Sequence, residues 1–266
     1  TETAAVASLA VAQRFISACA GRGRFPIKFN CSIFTMRGPA TKAKRRNADG
    51  ETVTDPEQRY NPDYRRWGGG YWFQNTRLIY WPMLAAGDWE MIEPWFQQFE
   101  DVLRLCRHRV QKHLGIEGAF FPETMTMWGT YRNDNYGYDR APERSGALTE
   151  NHYIRWYWQC ALELATMMLE YRAQTGRDAW WRQRAYPLVL AALKFYYGYF
   201  TDRDAQGRIR FEPMQVLETY WDAANPSPDI AGLQHVLDAL LALPAPLTPD
   251  ADRPFLQRFR DELPPI

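Results

Sequence analysis

Two short junctions constrain the fold of this chain more than any other feature: Leu84-Ala85-Ala86-Gly87-Asp88-Trp89 and Ala173-Gln174-Thr175-Gly176-Arg177-Asp178-Ala179-Trp180. Each ends an apolar helical run on Gly, which tolerates the left-handed conformation of a helix C-terminus, and opens the next run on an Asp N-cap close to Trp. So short a turn forces the two helices to run antiparallel. Each second helix carries proline within its run, at Glu93-Pro94-Trp95 and Tyr186-Pro187-Leu188. The pattern is a weak internal repeat of helical hairpins.

Hydrophobic residues recur with a helical period along most of the chain, and strand-like alternation is scarce. Helices are predicted over 2–18, 71–85, 89–113, 150–174, 179–200, 229–243 and 251–262. The chain is read as all-α and as one unit over 1–266, with no linker dividing it. Long connections at 19–70, 114–149 and 201–228 separate one hairpin from the next. Hairpins joined this way build an (α/α) toroid, in which one helix of each pair lines an inner ring and the long loops gather on one face. These helices are too few to close an (α/α)6 barrel, so the expectation is an incomplete ring, a fragment of something longer.

Composition narrows the partners. The formal net charge is +1 with both signs spread along the sequence, which gives no electrostatic case for nucleic acid or an anionic membrane. Residues 37–66 mix Lys42, Lys44, Arg45 and Arg46 with Asp49, Glu51, Asp55 and Glu57, as in a solvated loop rather than a nucleic-acid arm. No apolar run is read as reaching the ~18 residues of a membrane span, and no signal peptide is visible. Cys19, Cys31, Cys106 and Cys160 are too far apart for a zinc motif or a redox pair, so they are expected as buried free thiols, with one disulfide left open. His108, His113 and His235 lack a set of metal ligands, so no metal or cofactor is expected. Eleven Trp exceed what a core of ordinary helices requires, which points to rings placed at a surface or cleft. A neutral ligand fits this balance.

The segment Trp67-Gly68-Gly69-Gly70-Tyr71-Trp72-Phe73-Gln74-Asn75-Thr76-Arg77-Leu78-Ile79-Tyr80-Trp81-Pro82 carries the groups a sugar-binding pocket uses. Aromatic faces cover the C–H patches of a pyranose, while Asn, Gln and Arg hydrogen-bond its hydroxyls. A buried aromatic helix is the alternative. Trp72, Asn75 and Arg77 are therefore candidate sugar contacts. A second polar-aromatic stretch, Glu150-Asn151-His152-Tyr153-Ile154-Arg155-Trp156, adds His152, which also fits a structural donor at a helix start.

Glycoside hydrolysis needs two carboxyl groups flanking the bond. Two acids sit among rings in the long connections. Glu218, in Met214-Gln215-Val216-Leu217-Glu218-Thr219-Tyr220-Trp221-Asp222, has neighbours whose burial would hold its carboxyl protonated, and Gln215 and Trp221 beside it are candidate sugar contacts. Glu123, in Phe121-Pro122-Glu123-Thr124-Met125-Thr126-Met127-Trp128, suits catalysis or binding, with Trp128 a further contact. Glu212 and Asp222 are held in reserve. A helix-capping or salt-bridging glutamate is the plain alternative for Glu218.

The order of these segments resembles the catalytic (α/α)6 barrel of glycoside hydrolase family 95, the α-L-fucosidase and α-L-galactosidase group, and its uncharacterised relatives. The family motif Asn-x-Asn-x-Gln-x-Asn-Tyr-Trp-Pro is similar to the stretch from Phe73 to Pro82: Tyr80, Trp81 and Pro82 match and Asn75 falls on the second asparagine, while Phe73, Arg77 and Ile79 stand at the other three positions. The resemblance implies that Asn75 helps orient the attacking water and that Glu218 lies at the position of the general acid. It implies that the general base lies beyond Ile266, and that the whole enzyme is an inverting glycosidase, secreted or periplasmic, with an upstream β-sandwich. The competing reading is a carbohydrate-binding or structural module with the barrel but not the reaction. The oligomeric state is left open.

Overall fold

The computed structural model describes residues 2–28, 44–46, 49–54, 70–132, 146 and 148–266. Trp67, Gly68, Gly69 and Cys31 lie outside the described residues. Helices α1 (Glu2–Gly21), α2 (Phe73–Ala86), α3 (Trp89–Leu114), α4 (Cys160–Thr175), α5 (Tyr186–Tyr199), α6 (Ser227–Ala242) and α7 (Arg253–Asp261) carry the fold. The chain is predominantly α. Three two-stranded antiparallel ladders qualify the all-α expectation: β1 (Lys44–Arg46) with β2 (Thr52–Thr54), β3 (Tyr71–Trp72) with β4 (Thr124–Met125), and β5 (Met214–Val216) with β6 (Tyr220–Ala223). These strands are too short to show alternation in a sequence window. The first ladder falls inside the segment expected as a loop.

Both glycine junctions form as expected at their C-terminal side. Gly87 (φ 74°) and Gly176 (φ 66°) adopt the left-handed conformation, and their N–H groups close the preceding helices on Leu84 and Arg172. The capping differs from expectation. Asp88 sits at the N-cap of α3 but its carboxylate binds Arg14, at 2.5 Å, and makes no cap bond. At the second junction Arg177 holds the N-cap position and Asp178 binds Arg172 at 2.8 Å. In both cases an arginine outbids the backbone, because a charged donor bonds carboxylate more strongly than a neutral amide. A helical turn (Asp178–Trp180) and a π turn (Trp181–Ala185) then lead directly into α5. The π turn falls where Pro187 lacks the N–H that would bond the Gln183 carbonyl.

The hairpins α2/α3, α4/α5 and α6/α7 stand in two layers. In one, α2 touches α4 and α4 touches α6; in the other, α3 touches α5, and Tyr197 of α5 meets Phe255 and Phe259 of α7 at 5.4 and 5.2 Å. Trp95 and Trp158 fill the seam between them, and Trp72 and Trp181 are buried as well. Trp95 is fully buried, stacked on Tyr80 (4.6 Å) and Phe73 (5.4 Å), and Trp158 is edge-on to Phe195 and Tyr199. The expectation that the rings serve a surface therefore holds for few of them. Cys106 and Cys160 are buried free thiols, whereas Cys19 is free and exposed.

Helix α1 corrects another expectation. It is 20 residues long with a hydropathy of 1.4, the one helix among the described residues long and apolar enough to cross a membrane by length and composition. Gln13 and Arg14 interrupt the run on inspection, yet the Ala, Val and Leu around them keep its mean high. Val6, Leu9, Val11 and Phe15 are exposed, while Arg14 ties the helix to Asp88.

Because the hairpins are antiparallel, the N-terminal ends of α2, α4 and α6 lie on one face. The long connections from α3 to α4 and from α5 to α6 both return to it, carrying β4 and the β5–β6 hairpin. That face holds the candidate site.

Candidate active site

Glu123 is fastened to the start of α2 from a loop distant in sequence. Its carbonyl accepts the Phe73 N–H (3.0 Å) and its Oε1 accepts the Gln74 N–H (3.1 Å), which satisfies two of the orphan donors of that helix, whose N-cap residue Trp72 offers none. The register Trp72↔Thr124 and Tyr71↔Met125 fixes this geometry, so 71–72 begin as strand and not as helix. A Cβ on Gly70 would stand 3.3 Å from the Met125 carbonyl, so close backbone approach accounts for glycine there.

Glu123 is 1% exposed, and among the described residues its Oε2 has no hydrogen-bond partner. Burial pushes its pKa up to about 8; the Gln74 N–H opposes this, the Glu218 charge adds to it, and Arg77 opposes it. The two acids singled out in the sequence are thus within electrostatic reach of each other. The carboxyl that desolvation keeps protonated is Glu123. The expectation that apolar neighbours desolvate Glu218 fails for a plain reason: Leu217, Tyr220 and Trp221 are themselves exposed, and Glu218 is half-buried on the turn between β5 and β6. No cation among the described residues pairs with it. Leu217 (φ 52°) and Asp222 (φ 54°) hold left-handed backbone on either side of Glu218, a costly conformation for residues other than glycine.

A ring wall stands next to that turn. The Trp221 indole N–H donates to the Glu218 carbonyl at 2.8 Å, and its ring meets His152 at 4.4 Å and Tyr153 at 5.2 Å, all three exposed. The segment bearing His152 and Tyr153 is not the helix start predicted for 150–174; α4 begins at Cys160. Asn151 Oδ1 accepts the Tyr153 N–H and Thr149 Oγ1 accepts the Asn151 N–H, local bonds that compete with a helix. Gln215 then clamps the segment. Its Oε1 accepts the Trp156 N–H (3.2 Å) and its Nε2 donates to the Tyr153 and Leu217 carbonyls. Gln215 is therefore a buried brace between the two loops rather than a sugar contact.

Of the other expected contacts, Trp72 is buried and supports the β3–β4 ladder. Trp128 is 71% exposed, but its turn packs through Gly129 on Val102 of α3 and makes no ring contact with the His152–Tyr153–Trp221 wall. Asn75 is half-exposed on the first turn of α2 and makes no hydrogen bond among the described residues. Asp222 accepts the Trp156 indole N–H at 3.2 Å, and Glu212 is exposed and paired with Arg210.

Three further residues belong to this face and escaped sequence reasoning. Glu163, in the first turn of α4, binds Arg77 and the Trp81 indole. Tyr157 is buried between Arg77, Glu123 and Glu163, and burial raises its pKa. Asp229, in the first turn of α6, is fully buried, accepts the Tyr196 hydroxyl at 3.1 Å and is pushed by burial to about 7. Ser227-Pro228-Asp229 reads as an ordinary helix start, which concealed it. Among the described residues, no group of three His, Cys, Asp or Glu is placed to hold a metal ion.

No protein-family model matches the chain, and no curated protein matches it.

Proposed function

We propose that this chain is a barrel segment of an (α/α) toroid glycosidase, related to glycoside hydrolase family 95, that binds a neutral glycan on the face formed by the N-terminal ends of α2, α4 and α6. The observation that carries the reading is the pair Glu123 and Glu218: two carboxyls in electrostatic contact, one buried and neutral near pH 7 and one at the surface. Environments that separate two carboxyls in this way assign an acid and a base. Glu123 is then the proton donor and Glu218 the carboxylate that activates water, whereas the resemblance puts the acid at Glu218 and the base beyond Ile266. The His152–Tyr153–Trp221 wall supplies apolar ring faces, and Asn75 and Arg77 supply donors for hydroxyls. Glu123 Oε2 is buried, so donation of its proton requires the site to open toward the ligand. For an inverting reaction the two carboxyls stand ~6.5–9.5 Å apart in the bound state.

The capping bonds of Glu123 favour a second reading, a carbohydrate-binding module in which this glutamate only ties the loop to α2. Kinetics on aryl fucosides and galactosides separates the two. Hydrolysis that falls at least about 100-fold in both Glu123→Gln and Glu218→Gln supports the glycosidase. Sugar binding with no hydrolysis, or wild-type turnover in both variants, removes it.

A further inference from the structure

Arg77 and Trp81 lie one turn apart on α2, and a single carboxylate on α4 takes both. Glu163 Oε1 accepts the Trp81 indole N–H at 2.7 Å and the Arg77 Nε–H at 2.9 Å, and Oε2 lies 2.8 Å from the same Nε. A guanidinium held through Nε has its plane fixed, and among the described residues nothing accepts from its Nη groups. The ion pair is neither solvent-borne nor sealed, at 20% exposure for Arg77 and 22% for Glu163.

We propose that Glu163 is a positioning residue of the sugar site: it clamps Arg77 by its Nε edge, turns the Nη edge to the ligand, and keeps the guanidinium from closing onto Glu123. This rests on the reading of the face as a sugar site. The free edge is a planar pair of donors that suits two neighbouring hydroxyl oxygens of a neutral sugar. Since Glu163 already balances the positive charge, the ligand needs no carboxylate or phosphate of its own.

The groups around Glu123 make the clamp consequential. Facing it are the Gln74 N–H and Arg77 from α2, Glu218 from the β5–β6 turn, Cys160 at the start of α4 and Tyr157 just before it. Arg77 is the cation of that set, and Glu163 is the carboxylate bonded to it. Removing the Glu163 charge leaves the guanidinium unbalanced beside Glu123 and favours the carboxylate. Removing Arg77 does the opposite.

The test is a carbon-13 NMR titration of the Glu123 carboxyl in the full chain, assigned with Glu123→Gln and repeated in Glu163→Gln and Arg77→Gln. The expected result is a midpoint lowered by about one pH unit or more in Glu163→Gln and raised in Arg77→Gln. A Glu163 without electrostatic reach to Glu123 leaves the midpoint where it is. No movement in Glu163→Gln, or displacement in the same direction in both variants, overturns the proposal. If Glu163→Gln does not fold, Arg77→Gln decides by itself, since an unmoved midpoint there overturns it equally. The titration is read without turnover, so a failed hydrolase assay and a failed clamp are distinguishable.

Discussion

The side chain of Glu123 accepts the Gln74 N–H at 3.1 Å, 49 residues back along the chain, and this one bond joins a loop carboxyl to the first turn of a helix. A carboxylate at a helix N-terminus is ordinarily favoured by the dipole and by the free amides. Here burial of the group prevails and the acid is held neutral.

Stability should therefore fall as pH rises. Glu123 carries a folded pKa of about 8 against 4.5 for the free group, so its contribution is fully present below 4.5 and is lost as pH climbs through 8. Asp229, at about 7 against 3.8, acts with the same sign over a slightly lower range. Urea unfolding at pH 5 and pH 8.5 should show about 6 kcal/mol lost as an upper bound, roughly 4 of it from Glu123, so Glu123→Gln should flatten more than half of that slope. A wild-type stability that increases over this interval contradicts the burial argument.

Trp95→Ala should remove the stack between the two helix layers. The indole is fully buried between Tyr80, Phe73 and Phe99, so the cost is about 3–5 kcal/mol in denaturant unfolding, with a much smaller cost for Trp95→Phe.

Gly118→Ala should be at least as damaging for a different reason. With φ at 120°, an added Cβ would strike the Phe195 backbone and stand 2.7 Å from the Ala191 carbonyl, which also receives the Ala119 N–H. Neither backbone can yield, so a loss above about 3 kcal/mol is expected, measured as a shift of the urea midpoint.

Trp221→Ala should leave folding nearly unchanged and weaken glycan binding about tenfold in calorimetry, because the ring is 44% exposed and its packing partners His152 and Tyr153 are exposed too. Equal affinity in the variant would remove the ring wall from the site.

Much of the helical frame was legible in the sequence because Gly87 and Gly176 act locally: a left-handed C-terminus needs glycine wherever it occurs. The caps were misread because Arg14 and Arg172 reach them through tertiary contact or from the preceding helix. The segment 150–159 has helical composition, yet Gln215 holds its backbone from 59 residues away. Glu123 and Glu218 were legible as acids among rings, whereas the charge of one reaching the other and the burial of only one depend on the β3–β4 register and the β5–β6 turn. Glu163 was invisible because an acid in the first turn of a helix reads as an ordinary dipole partner.

The central claim, that Glu123 and Glu218 form one coupled pair, is tested most directly by titrating the Glu123 carboxyl by NMR in the wild type and in Glu218→Gln. The account predicts a wild-type midpoint near 8 that drops when the Glu218 charge is removed. A midpoint in the ordinary carboxyl range, or one indifferent to Glu218, would contradict it.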